Sequence, residues 1–287
     1  MQSISMKEFS PRAPLSAVLL ERLRRERRAV WPHEDADDGR MTIASYNVHK
    51  CIGMDKRYDP GRVTQVIAEI GADVIALQEA DRRFGDREGT LDLYELERHC
   101  GLMPVPMSPT AKGHGWHGNM VLVREARVRD IHQMNLPGVE PRGAVMVDMD
   151  LDHGPLRLIA AHFGLLRRCR RRQARAILET ALERDPRPTI FVGDLNEWRR
   201  GPGSALHALD PLFGPLSAAL PSFPSRFPML PLDRILARPH HIISRIEVHD
   251  TPLARMASDH LPLKARVDLG RGIDLLDGAT GGSRAVA

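Results

Sequence analysis

The stretch from Met41 to Glu79 fixes the class of fold. Met41-Thr42-Ile43-Ala44-Ser45-Tyr46-Asn47 is β-prone and mostly apolar. Val63, Val66, Ile67 and Ile70 then recur at helical spacing ahead of a closing Gly71, and Asp73-Val74-Ile75-Ala76-Leu77-Gln78-Glu79 returns as a strand. Strand, helix, strand in that order marks an α/β chain. Further on, Gly143 to Leu151 and Leu156 to His162 read as two strands of a hairpin joined by Asp152-His153-Gly154-Pro155. Antiparallel pairing there excludes a purely doubly wound parallel sheet.

The rest of the chain supplies more of both elements. A short helix near Leu91 to His99 precedes the loop Gly113-His114-Gly115-Trp116-His117-Gly118, whose three glycines suggest mobility, and the strand Asn119 to Val123. A basic helix from about Arg170 to Arg184 leads to Thr189-Ile190-Phe191-Val192, and three further strands are expected over Leu232 to Ala237, Ile242 to His249 and Leu261 to Val267. With 287 residues and 42% hydrophobic content, the chain can bury a sizeable core. Residues 1–40 differ in character: an arginine-dense helix from about Leu15 to Val30, then the acidic Glu34-Asp35-Ala36-Asp37-Asp38-Gly39. We read three parts, a charged extension over 1–40, a folded core domain over 41–268 and a flexible tail over 269–287. Three widely spaced cysteines fit neither a disulfide framework nor a zinc cluster and suggest a reducing cytoplasm. No apolar run approaches the roughly 20 residues needed to span a bilayer.

Chemistry gathers at strand ends, where α/β proteins collect it. In Thr189-Ile190-Phe191-Val192-Gly193-Asp194-Leu195-Asn196, Gly193 lets the backbone turn as the strand finishes. Asp194 and Asn196, two apart in extended backbone, would share a face and offer one site a carboxylate and an amide. A phosphate under attack by water needs both; an Asx-turn closing the strand is the alternative. Asn47, Glu79 and His162 end other strands, Asp233 starts Leu232-Asp233-Arg234-Ile235-Leu236, and Ser258-Asp259-His260 precedes the last.

The order Ser-x-Asn-Val, Gln-Glu, His, Gly-Asp-Leu-Asn, Leu-Asp-x-Ile-Leu, Ser-Asp-His over residues 41 to 267 resembles the endonuclease/exonuclease/phosphatase superfamily. Ser222-Phe223-Pro224-Ser225 leading to Pro231-Leu232-Asp233, with Tyr46-Asn47-Val48-His49-Lys50, resembles a largely uncharacterised bacterial phosphodiesterase-like branch. The resemblance implies an α/β four-layer sandwich, two mixed β-sheets packed face to face with helices outside. It also implies a hydrolase of phosphoric esters using Mg²⁺, with Mn²⁺ as substitute. Glu79 is the first choice of metal ligand, with Asn47 and Asp259 close by. Asp194 then orients or deprotonates the attacking water, Asn196 fixes phosphate or water, and His162 and His260 flank the non-bridging oxygens. Asp233 would partner His260 and favour its protonated form; His260 as base is the alternative. One departure stands out. The abasic-site repair members carry an acidic residue two positions after the first-strand asparagine, where this chain has His49, which argues against DNA repair while leaving hydrolysis intact.

Two surfaces bear on the substrate. Arg168, Arg171, Arg172 and Arg175 share a helix face just after His162 and could steer an anion, or form a solvated face. The segment Phe223 to Leu232, with Phe227, could line an apolar pocket or simply pack in the core. Trp116 sits in either a substrate lid or an ordinary hairpin. The resulting expectation is a phosphodiesterase acting by in-line attack of an activated water on nucleic acid, phospholipid or a small phosphodiester. An endonuclease, or a silent module binding an anion or a protein, is the alternative. No obligate protein partner is evident, and the expected location is cytoplasmic or peripheral at an anionic membrane surface.

Overall fold

The computed structural model describes residues 40–83, 85–107, 112–216 and 219–272. The extension expected over 1–40 therefore lies outside the described residues but for Arg40. In chain order the first elements are β1 (Met41–Asn47), α1 (Pro60–Ile70), β2 (Val74–Gln78), α2 (Leu93–Cys100), β3 (Met103–Pro104) and β4 (Met120–Val123). There follow β5 (Arg127–Leu136), β6 (Arg142–Leu151), β7 (Gly154–His162), α3 (Arg167–Leu182) and β8 (Thr189–Asp194). The chain continues through α4 (Asp210–Phe213), β9 (Asp233–Arg238), β10 (Ile243–Val248), α5 (Pro252–Ala257) and β11 (Leu263–Val267).

The strands form two mixed sheets, one ordered β10-β11-β1-β2-β4-β3 and the other β5-β6-β7-β8-β9. Alternation along each strand explains how they stack. Ile43, Val74, Ala76, Val121, Val147, Leu158, Ile190 and Val192 point into one core between the sheets. Their neighbours Ala44, Tyr46, Ile75 and Leu77 turn outward onto Val63, Val66 and Ile67 of α1. On the far side, Ala144, Ile159 and Phe191 pack under Ala174 and Ile177 of α3. The strands read as continuous apolar runs because both faces of each sheet are covered. The expected four-layer sandwich is the observed fold.

Several local readings change. The ten-residue β5 had no counterpart in the sequence reading: it is an edge strand, half exposed and rich in charge, without the apolar run that marks buried strands. The hairpin turn is tighter than expected, since Leu151 pairs with Gly154 and leaves only Asp152 and His153 in the loop. Of the tail expected over 269–287, the described residues reach only Gly272. Leu269–Gly272 form a 3-10 turn, with Leu269 packed into the core between the sheets.

Gly193 does not turn the strand. Its ladder runs on to Asp194, which pairs with His162 on one side and Asp233 on the other. A Cβ at Gly193 would stand 1.9 Å from the Ala161 carbonyl oxygen, and its φ is +146°, so close backbone approach requires glycine here. At Trp116 the hairpin is the observed arrangement. Trp116 exchanges backbone hydrogen bonds with Asn119, and its indole N–H donates to the Met134 carbonyl at 2.9 Å.

Candidate active site

Sheet topology brings the polar strand ends together. β7 and β8 run parallel, so His162 and Asp194 finish side by side, and antiparallel β9 begins beside them with Asp233. β1 and β2, also parallel, finish with Asn47 opposite Gln78, one residue before Glu79. Antiparallel β11 enters this same end from Ser258-Asp259-His260. A strand end is where a side chain can leave the pleated surface while its backbone stays fixed.

Asp194 is the hub and is almost wholly buried. Its Oδ2 accepts from Asn47 Nδ2 at 3.0 Å and lies 3.3 Å from His162 Nε2 and 3.7 Å from His260 Nε2. Its Oδ1 accepts the Asn196 backbone N–H at 3.0 Å, the Asx-turn that the sequence also allowed. Asn196 is consequently not extended: its φ is +50°, a left-handed conformation. The turn, not a shared strand face, brings Asn196 back to the site, and one of its amide hydrogens goes to the Phe163 carbonyl.

The two histidines are held in opposite states. His260 Nδ1 sits 2.8 Å from Asp233 Oδ2, which also accepts from Ser222 Oγ. Burial disfavours the charged ring, but Asp233 and Asp194 overcome it and raise the pKa to about 10, so His260 is an imidazolium at neutral pH. At His162, burial dominates. It lowers the pKa to about 4, against the pull of Asp194 and with the help of the Arg142 guanidinium. Arg142 Nη1 lies 2.8 Å from His162 Nδ1 and can only donate, so Nδ1 is an acceptor and the proton resides on Nε2, facing Asp194. Arg142 is itself held by Glu140.

Glu79, Asn47 and Asp259 form the neighbouring corner. Burial works against ionised Glu79, but His162, which becomes charged below about pH 4, and the Lys50 ammonium hold its pKa at about 2. Lys50 pairs directly with Glu79. Asn47 turns its carbonyl oxygen to the His49 N–H at 3.0 Å, and Asp259 Oδ1 stands 3.7 Å from His49 Nδ1. His49, Lys50, Cys51 and Glu79 all have positive φ, concentrating backbone strain at this corner. The buried atoms of Asp194, Asp233 and His260 also lie within 4.8 Å of one another, close enough for a metal. However, Asp233 and His260 spend their facing atoms on each other, which makes this a proton-holding group rather than a cation cage.

Every expected site residue at a strand end takes its place in this cluster. Among the expected substrate contacts, Arg168, Arg171 and Arg172 are exposed on α3, and Phe227 is exposed as well. The ring against the site is Phe223, its centroid 4.8 Å from that of His260. Sequence reading missed Arg142, Ser222, Lys50 and the buried Glu197. Arg142 left one signal, the lone cation of its strand, standing just before the apolar run Gly143 to Val147. Arg170, where the basic helix was expected to start, is 1% exposed and pairs with Glu197 at 3.2 Å.

Among known proteins, the uncharacterized protein YbhP of Escherichia coli is 25% identical over 245 residues, spanning 79% of this chain and 96% of that one. The fold matches an endonuclease/exonuclease/phosphatase from Beutenbergia cavernae with a TM-score of 0.60 at 21% identity, covering 80% of this chain and 72% of that one. It also matches D. rerio TDP2 complexed with a single-strand DNA product, with a TM-score of 0.56 at 16% identity over 79% of this chain and 98% of the other. Residues 44–260 fit the model of the Endonuclease/Exonuclease/phosphatase family, and the chain belongs to that family.

Proposed function

We propose that this protein is a divalent-metal-dependent phosphodiesterase acting by in-line attack of water. Members of its family are hydrolases, with nucleases and phosphatases among them. One observation carries the reading: a buried carboxylate, Asp194, lies between a neutral imidazole and a cationic one. A water oxygen bonds to phosphorus, the ester P–O bond opposite breaks, and the departing oxygen leaves as an alcohol after gaining a proton. Asp194 orients the water and takes its proton, fixed by Asn47 and the Asn196 N–H. His260, already protonated, serves the non-bridging oxygens as a charged donor rather than as the base. Its orientation is set by Asp233, whose own place is set by Ser222. His162 presents its Nε2–H beside Asp194, with Arg142 enforcing the tautomer.

The donor set at Glu79, Asp259 and Asn47 suits a hard cation, being all oxygen and holding an ionised carboxylate that already faces an ammonium. Mg²⁺ bound there, or Mn²⁺ in its place, would neutralise phosphate charge and stabilise the leaving oxygen.

The test is hydrolysis by purified protein of plasmid DNA, RNA, phospholipid and chromogenic phosphodiesters, with and without Mg²⁺ or Mn²⁺. Metal-dependent release is expected on at least one phosphodiester. Asp194→Asn and His260→Ala should each lower kcat at least about 100-fold with KM much less affected. Turnover undiminished by excess chelator, or KM effects with kcat preserved, would overturn the reading.

A further inference from the structure

The loops around the site carry an unusual surface. Antiparallel pairing puts the starts of β6 and β9 at the same end as the finish of β7 and β8, so the segments 137–141, 163–166, 195–200 and 221–232 all emerge around His162, Asp194 and Asp233. The structure ties them to one another. Glu140 accepts the Leu165 N–H at 2.8 Å, and Arg234 donates to the carbonyls of both Pro231 and Glu197.

These loops gather several exposed apolar side chains on one face. Val139 is 70% exposed, Leu165 65%, Met229 56% and Phe227 49%, and Leu166 and Trp198 are exposed beside them. Elsewhere exposed residues of this kind, such as Tyr94, Met103 and Leu182, occur singly, which is ordinary. The exposed charges interleaved with the loop residues are Arg167, Arg168, Arg199, Arg200 and Arg226. The acidic members nearby are spent: Glu197 is fully buried against Arg170, and Glu140 pairs with Arg142.

We infer that this face docks on an anionic phospholipid bilayer, so that the phosphodiester offered to the site belongs to a lipid headgroup. Four of the six apolar tips are aliphatic, and the Trp198 ring is already faced by Arg199, which favours a bilayer over a polynucleotide. Leu165, Leu166, Val139 and Met229 gain by entering the acyl boundary, whereas single-stranded nucleic acid is gripped by aromatic faces on which bases stack. Arginines among apolar tips answer the negative surface of the same lipids. The bond broken is the one described for the proposed function, on which this inference about substrate rests; docking itself does not require turnover.

The experiment is co-sedimentation of the full chain with phosphatidylcholine vesicles and with mixed phosphatidylcholine–phosphatidylglycerol vesicles, in chelator so that nothing is hydrolysed. The wild type and His260→Ala should both pellet with the mixed vesicles and remain in solution with phosphatidylcholine alone. Leu165→Ser, Leu166→Ser and Met229→Ser combined should weaken partition at least about tenfold while hydrolysing a soluble chromogenic phosphodiester at the wild-type rate, which reports an intact fold. As a measurement independent of that variant, Trp fluorescence should shift to the blue on mixed vesicles in the wild type and not in Trp198→Phe. Wild type left in solution with mixed vesicles, pelleting of the triple variant at wild-type affinity, or capture by single-stranded DNA without vesicle binding would overturn the docking surface. Vesicle binding by a protein inactive on every phosphoester would retain the surface and remove the proposed function.

Discussion

His260 donates through Nδ1 to Asp233 across 2.8 Å, and both groups are buried. The pair ties β9 to the turn before β11, so this hydrogen bond, like that from Asn47 to Asp194, joins the two sheets at the site. It also sets charge. Burial would discharge the ring, and Asp233 is the foremost of the groups that keep it protonated. Asp233→Asn should therefore let the His260 pKa fall from about 10 and lower kcat by about 100-fold. Titration of the imidazole by NMR, with a pH–rate profile, checks both. A His260 pKa unmoved in this variant would assign the charge to Asp194 instead.

How much of this was legible in the sequence follows from what each residue does. Strands covered on both faces announce themselves as apolar runs, so β1, β2, β7 and β8 could be read directly. The edge strand β5 could not, because half of its surface meets water. The polar strand ends were legible as a set because their chemistry is tied to chain order. Arg142, Ser222 and Lys50 were not, since each acts only through a partner brought near by the fold: His162 from the neighbouring strand, Asp233 across a loop, and Glu79 from β2's end. The arginines divide by helical phase, and Arg170 lies outside the face expected to be shared. Helical phase turns Arg170 inward to Glu197 while Arg168, Arg171 and Arg172 stay in water.

Glu79 faces Lys50, so a divalent ion entering that corner meets a carboxylate already paired with a cation. Glu79→Gln should weaken Mn²⁺ binding by at least about tenfold, because a neutral amide cannot offset a divalent charge. Isothermal calorimetry on the variant measures this without reference to turnover. Wild-type affinity in Glu79→Gln would move the ion elsewhere among the oxygen donors.

The opposed histidine shifts give stability a two-sided pH dependence. His260 has a folded pKa near 10, above its ordinary 6.5, so its contribution is complete below about pH 6.5 and is lost as pH rises towards 10. His162 has a folded pKa near 4, below 6.5, so the unfolded chain binds the proton more readily and stability is lost as pH falls from about 6.5 to 4. Thermal unfolding of wild type against His260→Gln should show a Tm difference that shrinks between pH 7 and 10. Against His162→Gln, the difference should shrink between pH 6.5 and 4. A difference constant across either window would refute the corresponding assignment.

The α3 arginines should separate into a structural one and a group that acts on the surroundings. Arg170 neutralises Glu197 in the interior, and removing it leaves that buried carboxylate only the half-exposed Arg199 at 3.5 Å; Arg170→Met should cost about 3 kcal/mol of stability in denaturant unfolding. Reversal of Arg168, Arg171 and Arg172 together to glutamate should cost little, since exposed helix charges matter by less than about 0.5 kcal/mol each. What that triple variant should lose is attraction to extended anions. Each arginine that meets a phosphate releases a counterion, so the wild type should bind a polyanion or anionic vesicle with a steep loss of affinity in salt, and the variant with a clearly shallower one. Binding isotherms over a range of salt concentrations measure the slope. If the triple variant keeps both the affinity and the salt slope of the wild type, these three arginines are a solvated helix face and take no part in bringing substrate to the site.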